Sequence, residues 1–252
     1  MIHFVGAGCG AADLITVRGA ELLEKADAII YAGSLVNPML LDYAKPNCET
    51  FNSAKMTLDE VIKVMELMEE SGSLTVRLHT GDPSMYGAIR EQMDRLDARG
   101  IPYEVCPGVS SFCGAAAALK AEYTLPAVSQ SVIITRMAGK TPVPERESIK
   151  SFSAHHATMV IFLSAGLTEV LQEELLSGGY EEETPAAIVY KVSWPDEKIV
   201  RCTVGTLHTK AVESGISNHA LITVGGFLGD DYELSKLYDP AFTTAFRKGA
   251  ER

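Results

Sequence analysis

No stretch of the 252-residue chain approaches the roughly 18 uninterrupted apolar residues that a membrane-spanning helix needs. With 46% hydrophobic and 22% charged residues, the composition instead fits a soluble globular protein. There is also no C-x-x-C pair. The five cysteines (Cys9, Cys48, Cys106, Cys113, Cys202) form an odd set that suits neither a disulfide framework nor a zinc ribbon, and they read as reduced thiols with no metal among them. Positive charge is scarce: the formal net charge of -11 counts against a broad nucleic-acid surface, because phosphate binding needs Lys and Arg to displace counterions. No basic leader with an apolar core stands ahead of the strand-like I-H-F-V-G, so a cytoplasmic protein is expected. G-x-S-x-G is missing too, which lowers hydrolase readings. His155 and His156 are adjacent and lack an evident third ligand; on an extended segment they point to opposite sides, so both read as surface residues.

What is present is an alternation. I-H-F-V-G, L-I-T-V-R-G-A-E-L-L, A-I-I-Y-A, a long helical segment and L-T-V-R-L-H-T-G-D follow one another in the manner of βαβ units, which predicts a mainly parallel sheet. The long helix is the clearest element, because Thr57 to Glu60 reads as a capping box and Leu58, Val61, Ile62, Met65 and Met68 follow at helical spacing. A second helix is expected from Phe112 to Leu119, and the pattern restarts after a proline-bearing connector near residues 122 to 128. Two α/β domains are therefore expected, 1–124 and 125–252. In the second, strand-like P-A-A-I-V-Y-K-V and K-I-V-R-C-T-V are separated only by S-W-P-D-E. That spacing suggests an antiparallel hairpin and a mixed sheet.

Three strand ends in the first half carry small, polar, glycine-bearing turns. V-G-A-G-C-G-A-A-D (Val5 to Asp13) lets a ligand approach the backbone closely, or is simply a tight turn. As a dinucleotide fingerprint it is G-x-G-x-G, and Tyr31 stands near where a nicotinamide site wants an acidic residue. In R-L-H-T-G-D-P-S-M-Y-G-A-I-R (Arg77 to Arg90), Thr75, Arg77 and His79 share one strand face. Unpaired Arg and His are costly to bury, so this face points to a crevice at the carboxyl edge. Asp82 either accepts hydrogen bonds from a ligand or caps the helix expected from Tyr86 to Leu96. C-P-G-V-S-S (Cys106 to Ser111) offers serines that either cap a helix or reach a ligand.

Together and in this order, V-G-A-G-C-G-A-A-D-L-I-T-V-R-G, T-G-D-P-S-M-Y-G, P-G-V-S-S and A-L-I-T-V-G resemble the tetrapyrrole (corrin/porphyrin) methylase family over nearly the whole chain. Y-A-G-S-L-V, S-V-I-I-T-R with T-P-V-P-E, and Y-K-V-S-W-P-D-E-K-I-V-R are similar to its branch that methylates C-11 of precorrin-4 or its cobalt complex in cobalamin biosynthesis. The resemblance implies a two-domain α/β fold with a cofactor cleft between the domains, S-adenosyl-L-methionine as cofactor, a tetrapyrrole substrate and a homodimer. It also implies cofactor contacts at Gly8, Cys9, Thr80, Gly81, Asp82, Met85, Ser110, Ser111, Leu163, Val192 and Ser193. The acetate and propionate groups of such a substrate nominate Arg77, His79, Tyr86, Arg90 and Arg136 as contacts. Lys140 and Lys191 are further counter-charges, and each of the cations is equally readable as ordinary surface charge. One departure stands out: the family usually has proline where this chain has Cys9, and cysteine frees the backbone angle and restores an amide. No catalytic base is named by the residues. Competing readings are a nicotinamide-dependent oxidoreductase, a non-catalytic cofactor-binding protein, and a family member with another ring position or RNA as substrate.

Overall fold

The computed structural model describes residues 1–33 and 35–250; Ser34, within the Y-A-G-S-L-V motif, lies outside the described residues. The chain divides into two compact units, one of Met1–Ala115 with Lys191–Glu197, the other of Ala116–Tyr190 with Lys198–Arg252.

The first unit alternates as the apolar pattern requires. In chain order it runs β1 (Ile2–Gly6), α1 (Val17–Lys25), β2 (Ala28–Tyr31), β3 (Glu49–Asn52), α2 (Leu58–Glu70), β4 (Thr75–His79), α3 (Ile89–Asp97), β5 (Tyr103–Cys106) and the start of α4 (Ser111–Leu119). The five strands form one parallel sheet in the order β3-β2-β4-β1-β5. Period-two alternation sorts their side chains between two cores. Val5, Ile29, Val76 and Leu78 pack with Leu23, Val36 and Leu40 on one face, while Ile2, Phe4 and Ile30 pack with Val61, Ile62, Met65 and Leu96 on the other.

Local chemistry sets the helix starts. In α2 both halves of the capping box form: the Thr57 side chain accepts from the Glu60 amide at 3.3 Å, and the Glu60 carboxylate accepts from the Thr57 amide at 2.6 Å. In α1 the Thr16 hydroxyl accepts from the Gly19 amide at 3.1 Å. Helix α3 begins at Ile89, later than the Tyr86 expected from sequence. Tyr86 (φ 56°) and Ala88 (φ 50°) lie in the left-handed region, which no α-helix can include. The short strand β3 had no signal in the sequence reading, since E-T-F-N is polar and lies at the sheet edge.

The second unit holds the rest of α4, then β6 (Val132–Arg136), α5 (Ile149–Ser153), β7 (Thr158–Phe162), α6 (Thr168–Ser177), β8 (Pro185–Tyr190), β9 (Lys198–Thr203), α7 (Leu207–Glu213) and β10 (Ala220–Val224). Its sheet, β6-β7-β10-β8-β9, is mixed: β6 and β7 run parallel and every other pair antiparallel. The expected hairpin is β8–β9, in register from Pro185↔Thr203 to Tyr190↔Lys198. Met159, Ile161, Ile188 and Ile222 cover one face with Leu171, Leu175 and Leu207 of the helices. Among the described residues no helix is long and apolar enough to cross a membrane.

Candidate functional site

In the first sheet β1 lies between β4 and β5, so the turns leaving these three strands meet at one carboxyl edge, where open α/β sheets bind ligands. They meet backbone to backbone. Gly8 and Gly81 form an antiparallel bridge, with Gly81 N–H donating to Gly8 O at 2.9 Å and Gly8 N–H to Gly81 O at 3.3 Å. Both residues have left-handed backbones (φ 80° and 63°), which explains the glycines. A methyl group added to Gly6 would sit 2.5 Å from Gly108 Cα and 2.6 Å from Gly81 O, and one added to Gly108 would sit 2.2 Å from Gly81 O. The three turns therefore form a cradle with no room for side chains between them.

Asp82 ties this cradle together. One carboxylate oxygen accepts the Gly108 amide at 2.9 Å and the other accepts the Ser84 amide at 2.9 Å and the Ser84 hydroxyl. Partial burial pushes the carboxyl up, but the hydrogen bonds from Ser84 and Gly108 outweigh it and hold the group below its usual value. Asp82 is thus not a cap of α3, which starts at Ile89; it joins the turn after β4 to the turn after β5. Ser110, buried, and Ser111 open α4 beside Gly81, whose added methyl would lie 3.5 Å from Ser110 Cα and 3.6 Å from Ser111 N. Next to them Thr80 Oγ1 is buried without a hydrogen-bond partner. A buried hydroxyl left unpaired carries a desolvation cost that a bound polar group would remove.

The segment between β8 and β9 completes the edge. The Ser193 hydroxyl accepts the Ala11 amide at 2.9 Å and lies 3.5 Å from Cys9 Sγ, while the Ser193 amide donates to the Glu197 carboxylate at 2.6 Å. Gly10 allows this approach, since a methyl group there would sit 2.3 Å from Val192 O and 2.5 Å from the Trp194 ring. From the other side, the buried Asn37 amide donates to Gly10 O at 2.9 Å. Sequence reasoning passed over Asn37 and Glu197; both are polar residues in loops, with nothing in their spacing to distinguish them.

The odd-numbered face of β4 is not open. Arg77 and His79 are buried, on the same face as Phe4 and Ile30. The expectation that this face points to a crevice failed because Arg77 finds partners inside: Nε donates to Gln92 Oε1 at 3.1 Å and Nη1 to Ile30 O at 3.2 Å. Gln92 could have been suspected from its place four residues before the buried Leu96, on the inner face of α3. Burial lowers the Arg77 guanidinium to about 10. His79 is lowered to about 3 by burial and then by the Arg77 charge, so its imidazole is neutral, and its Nε2 lacks a hydrogen-bond partner.

The remaining candidates are more scattered. Met85 stays with the cradle turn through its amide, which donates to Asp82 O at 3.1 Å, and Tyr86 follows it, 44% exposed. Arg90 is exposed on α3 and paired with Asp94 at 2.6 Å. Lys191 pairs with Asp196 at 2.7 Å and lies over the Trp194 ring. In the second unit Arg136 and Leu163 stand at the ends of the neighbouring strands β6 and β7. Leu163 is 66% exposed with a left-handed backbone (φ 54°), and the Arg136 guanidinium donates to the carbonyls of Met137, Thr141 and Pro142. Lys140, His155 and His156 are exposed.

The sequence model of the tetrapyrrole (corrin/porphyrin) methylases matches residues 1–208. The chain is 52% identical to the cobalt-precorrin-4 C(11)-methyltransferase of Methanocaldococcus jannaschii, covering 100% of this chain and 97% of the relative. It is 46% identical to the protein of the same name from Priestia megaterium, over 99% and 98% of the two chains. The crystal structure of a cobalamin-biosynthetic cobalt-precorrin-4 methyltransferase, 45% identical, superposes with a TM-score of 0.89 over 91% of this chain and 96% of that one. With the glycine cradle and strand order in place, the chain belongs to the tetrapyrrole (corrin/porphyrin) methylase family.

Proposed function

We propose that the protein is an S-adenosyl-L-methionine-dependent C-methyltransferase that methylates C-11 of cobalt-precorrin-4 in cobalamin biosynthesis. Full-length similarity to relatives of that name supports the substrate and the position. The observation that carries the cofactor is the cradle of Gly6, Gly81 and Gly108, beside which Thr80 Oγ1 is buried and unpaired. Residues of the first unit fit such a group: Thr80, Gly81 and Asp82 from one turn, Ser110 and Ser111 from the next, Gly8, Cys9, Val192 and Ser193 around Gly10, with Met85 as an apolar contact; Leu163 of the second unit is nominated by the family resemblance alone.

When bound, the cofactor supplies an already activated sulfonium methyl, so no strong nucleophile is asked of the chain. What its residues do is position. Asp82 fixes two turns at a set separation, Ser193 and Asn37 hold the glycine turn from two sides, and the Thr80 hydroxyl donates or accepts a hydrogen bond at the cradle. Arg90, Arg136, Lys140 and Lys191 supply counter-charge for substrate carboxylates. Arg77 and His79, buried beneath the edge, act only through the strand that leads into Thr80, and Tyr86 stays exposed beside Met85. We further propose a cytoplasmic homodimer that binds no nucleic acid.

The test is to incubate the purified protein with methyl-labelled S-adenosylmethionine and either cobalt-precorrin-4 or precorrin-4, following product mass and S-adenosylhomocysteine release. One added methyl on the cobalt complex supports the proposal. Methylation of the metal-free compound alone moves it to the other branch of the pathway, and cofactor binding with neither substrate methylated overturns the C-11 assignment.

A further inference from the structure

Cys9 lies in the glycine turn after β1, and its sulfur occupies a confined position. Ser193 Oγ lies 3.5 Å away on one side; on the other is the first turn of α4, where a methyl group added to Gly114 would sit 2.8 Å from Cys9 Sγ and 3.0 Å from its Cβ. The next residue back along that turn is Cys113, which is exposed while Cys9 is buried. Cys113 also feels the charge of Cys9, so the two thiols, one on the glycine turn and one on the helix that closes it, lie within electrostatic reach of each other. We propose that Cys9 and Cys113 form a reversible disulfide under hydroperoxide, a modification site that fastens the glycine turn to α4.

The chemistry balances with the hydroperoxide as oxidant. The exposed Cys113 thiolate attacks the peroxide: an S–O bond forms, the O–O bond breaks, and an alcohol or water leaves with a proton. Cys9 then attacks the sulfenic sulfur, forming S–S and releasing the oxygen as water. The two thiols give up two electrons and two protons in all. Shielding of the sulfur and, after it, the proximity of Cys9 push the Cys113 thiol up, so the thiolate that starts the reaction is a minor species at neutral pH and its share grows with alkalinity. The other cysteines provide internal controls. Cys202, partly buried, is pushed up to about 11, and Cys106 is buried beside Thr16. The assignment does not depend on the substrate, because both thiols belong to the protein alone.

The test is to treat the native protein with hydrogen peroxide across a pH series, alkylate free thiols, digest without reduction and map the peptides by mass spectrometry. Expected is a single Cys9–Cys113 link, two hydrogen masses below the sum of the reduced peptides. It should reverse with dithiothreitol, be absent from Cys113→Ala, and form about tenfold faster for each pH unit below the thiol's titration. A Cys113 that passes to sulfinic acid while Cys9 remains alkylatable overturns the proposal, and so does a link through any other cysteine.

Discussion

Gly6→Ala is the sharpest test of the cradle, because it isolates space from backbone conformation. Gly6 is not among the positive-φ residues, so alanine is conformationally acceptable there, yet its methyl would meet Gly108 Cα at 2.5 Å, Gly108 N at 2.6 Å and Gly81 O at 2.6 Å. All three atoms are backbone. No rotamer change relieves the clash, and two strand-end turns have to separate together. Overpacking of this kind typically costs about 1–3 kcal/mol, and with backbone on every side the upper end is expected, about 3 kcal/mol. The comparison is Gly72→Ala. Gly72 has φ 72° with nothing within 4 Å of an added methyl, so it incurs only the left-handed penalty of about 1–2 kcal/mol. Urea denaturation gives the stability change of each variant, and titration calorimetry with S-adenosylhomocysteine gives its affinity. Gly6→Ala should lose at least tenfold in affinity, whereas Gly72→Ala should bind as the parent does. If Gly6→Ala is within about 0.5 kcal/mol of the parent and binds S-adenosylhomocysteine unchanged, the cradle is not the rigid contact described here.

Three further outcomes follow from the site. His79 is lowered to about 3 in the fold from 6.5, so protonation favours the unfolded chain. Its contribution to stability is whole above pH 6.5 and is lost as pH falls from there towards 3, with a slope of up to about 1.4 kcal/mol per pH unit. Nuclear magnetic resonance titration of the imidazole and stability against pH in His79→Phe, which should lack that slope, check this. Gln92→Leu leaves the buried Arg77 guanidinium with one acceptor fewer and should destabilise by about 1.5–3 kcal/mol in denaturant melts, whereas Gln92→Glu should largely preserve the fold. Asp82 is held low by its hydrogen bonds, so its tie between the turns is present above the ordinary carboxylate range and lost as pH falls through the lowered value. Asp82→Asn should weaken S-adenosylhomocysteine binding about tenfold at neutral pH, with the gap to the parent closing in acid.

Much of this was legible before the structure, for identifiable reasons. The capping box at Thr57 and Glu60, the apolar spacing of α2 and the short link between β8 and β9 are local patterns, and local patterns survive folding intact. The glycine turns were legible because left-handed angles and close backbone approach leave glycine in the sequence, as at Gly8 and Gly81. What was not legible depends on partners distant in sequence. Arg77 is buried because Gln92 and Ile30 meet it, fifteen and forty-seven residues away. The start of α3 was misplaced because left-handed Tyr86 and Ala88 carry side chains that give no warning of their backbone. Asn37 and Glu197 acquire meaning only through Gly10 and Ser193.

The grouping of Lys191–Glu197 with a unit otherwise finished at Ala115 also has a consequence for biogenesis. A chain emerging from the ribosome can assemble the five-stranded parallel sheet as soon as β5 and the start of α4 are out, yet the turn around Gly10 still lacks Val192, Ser193 and Trp194. Until synthesis passes Glu197, Ala11 has no serine acceptor for its amide and the nascent first unit has an unfinished edge. Completion of that edge is therefore a late event in the protein's maturation, and a fragment ending after α4 would hold the sheet with the turn around Gly10 unfinished.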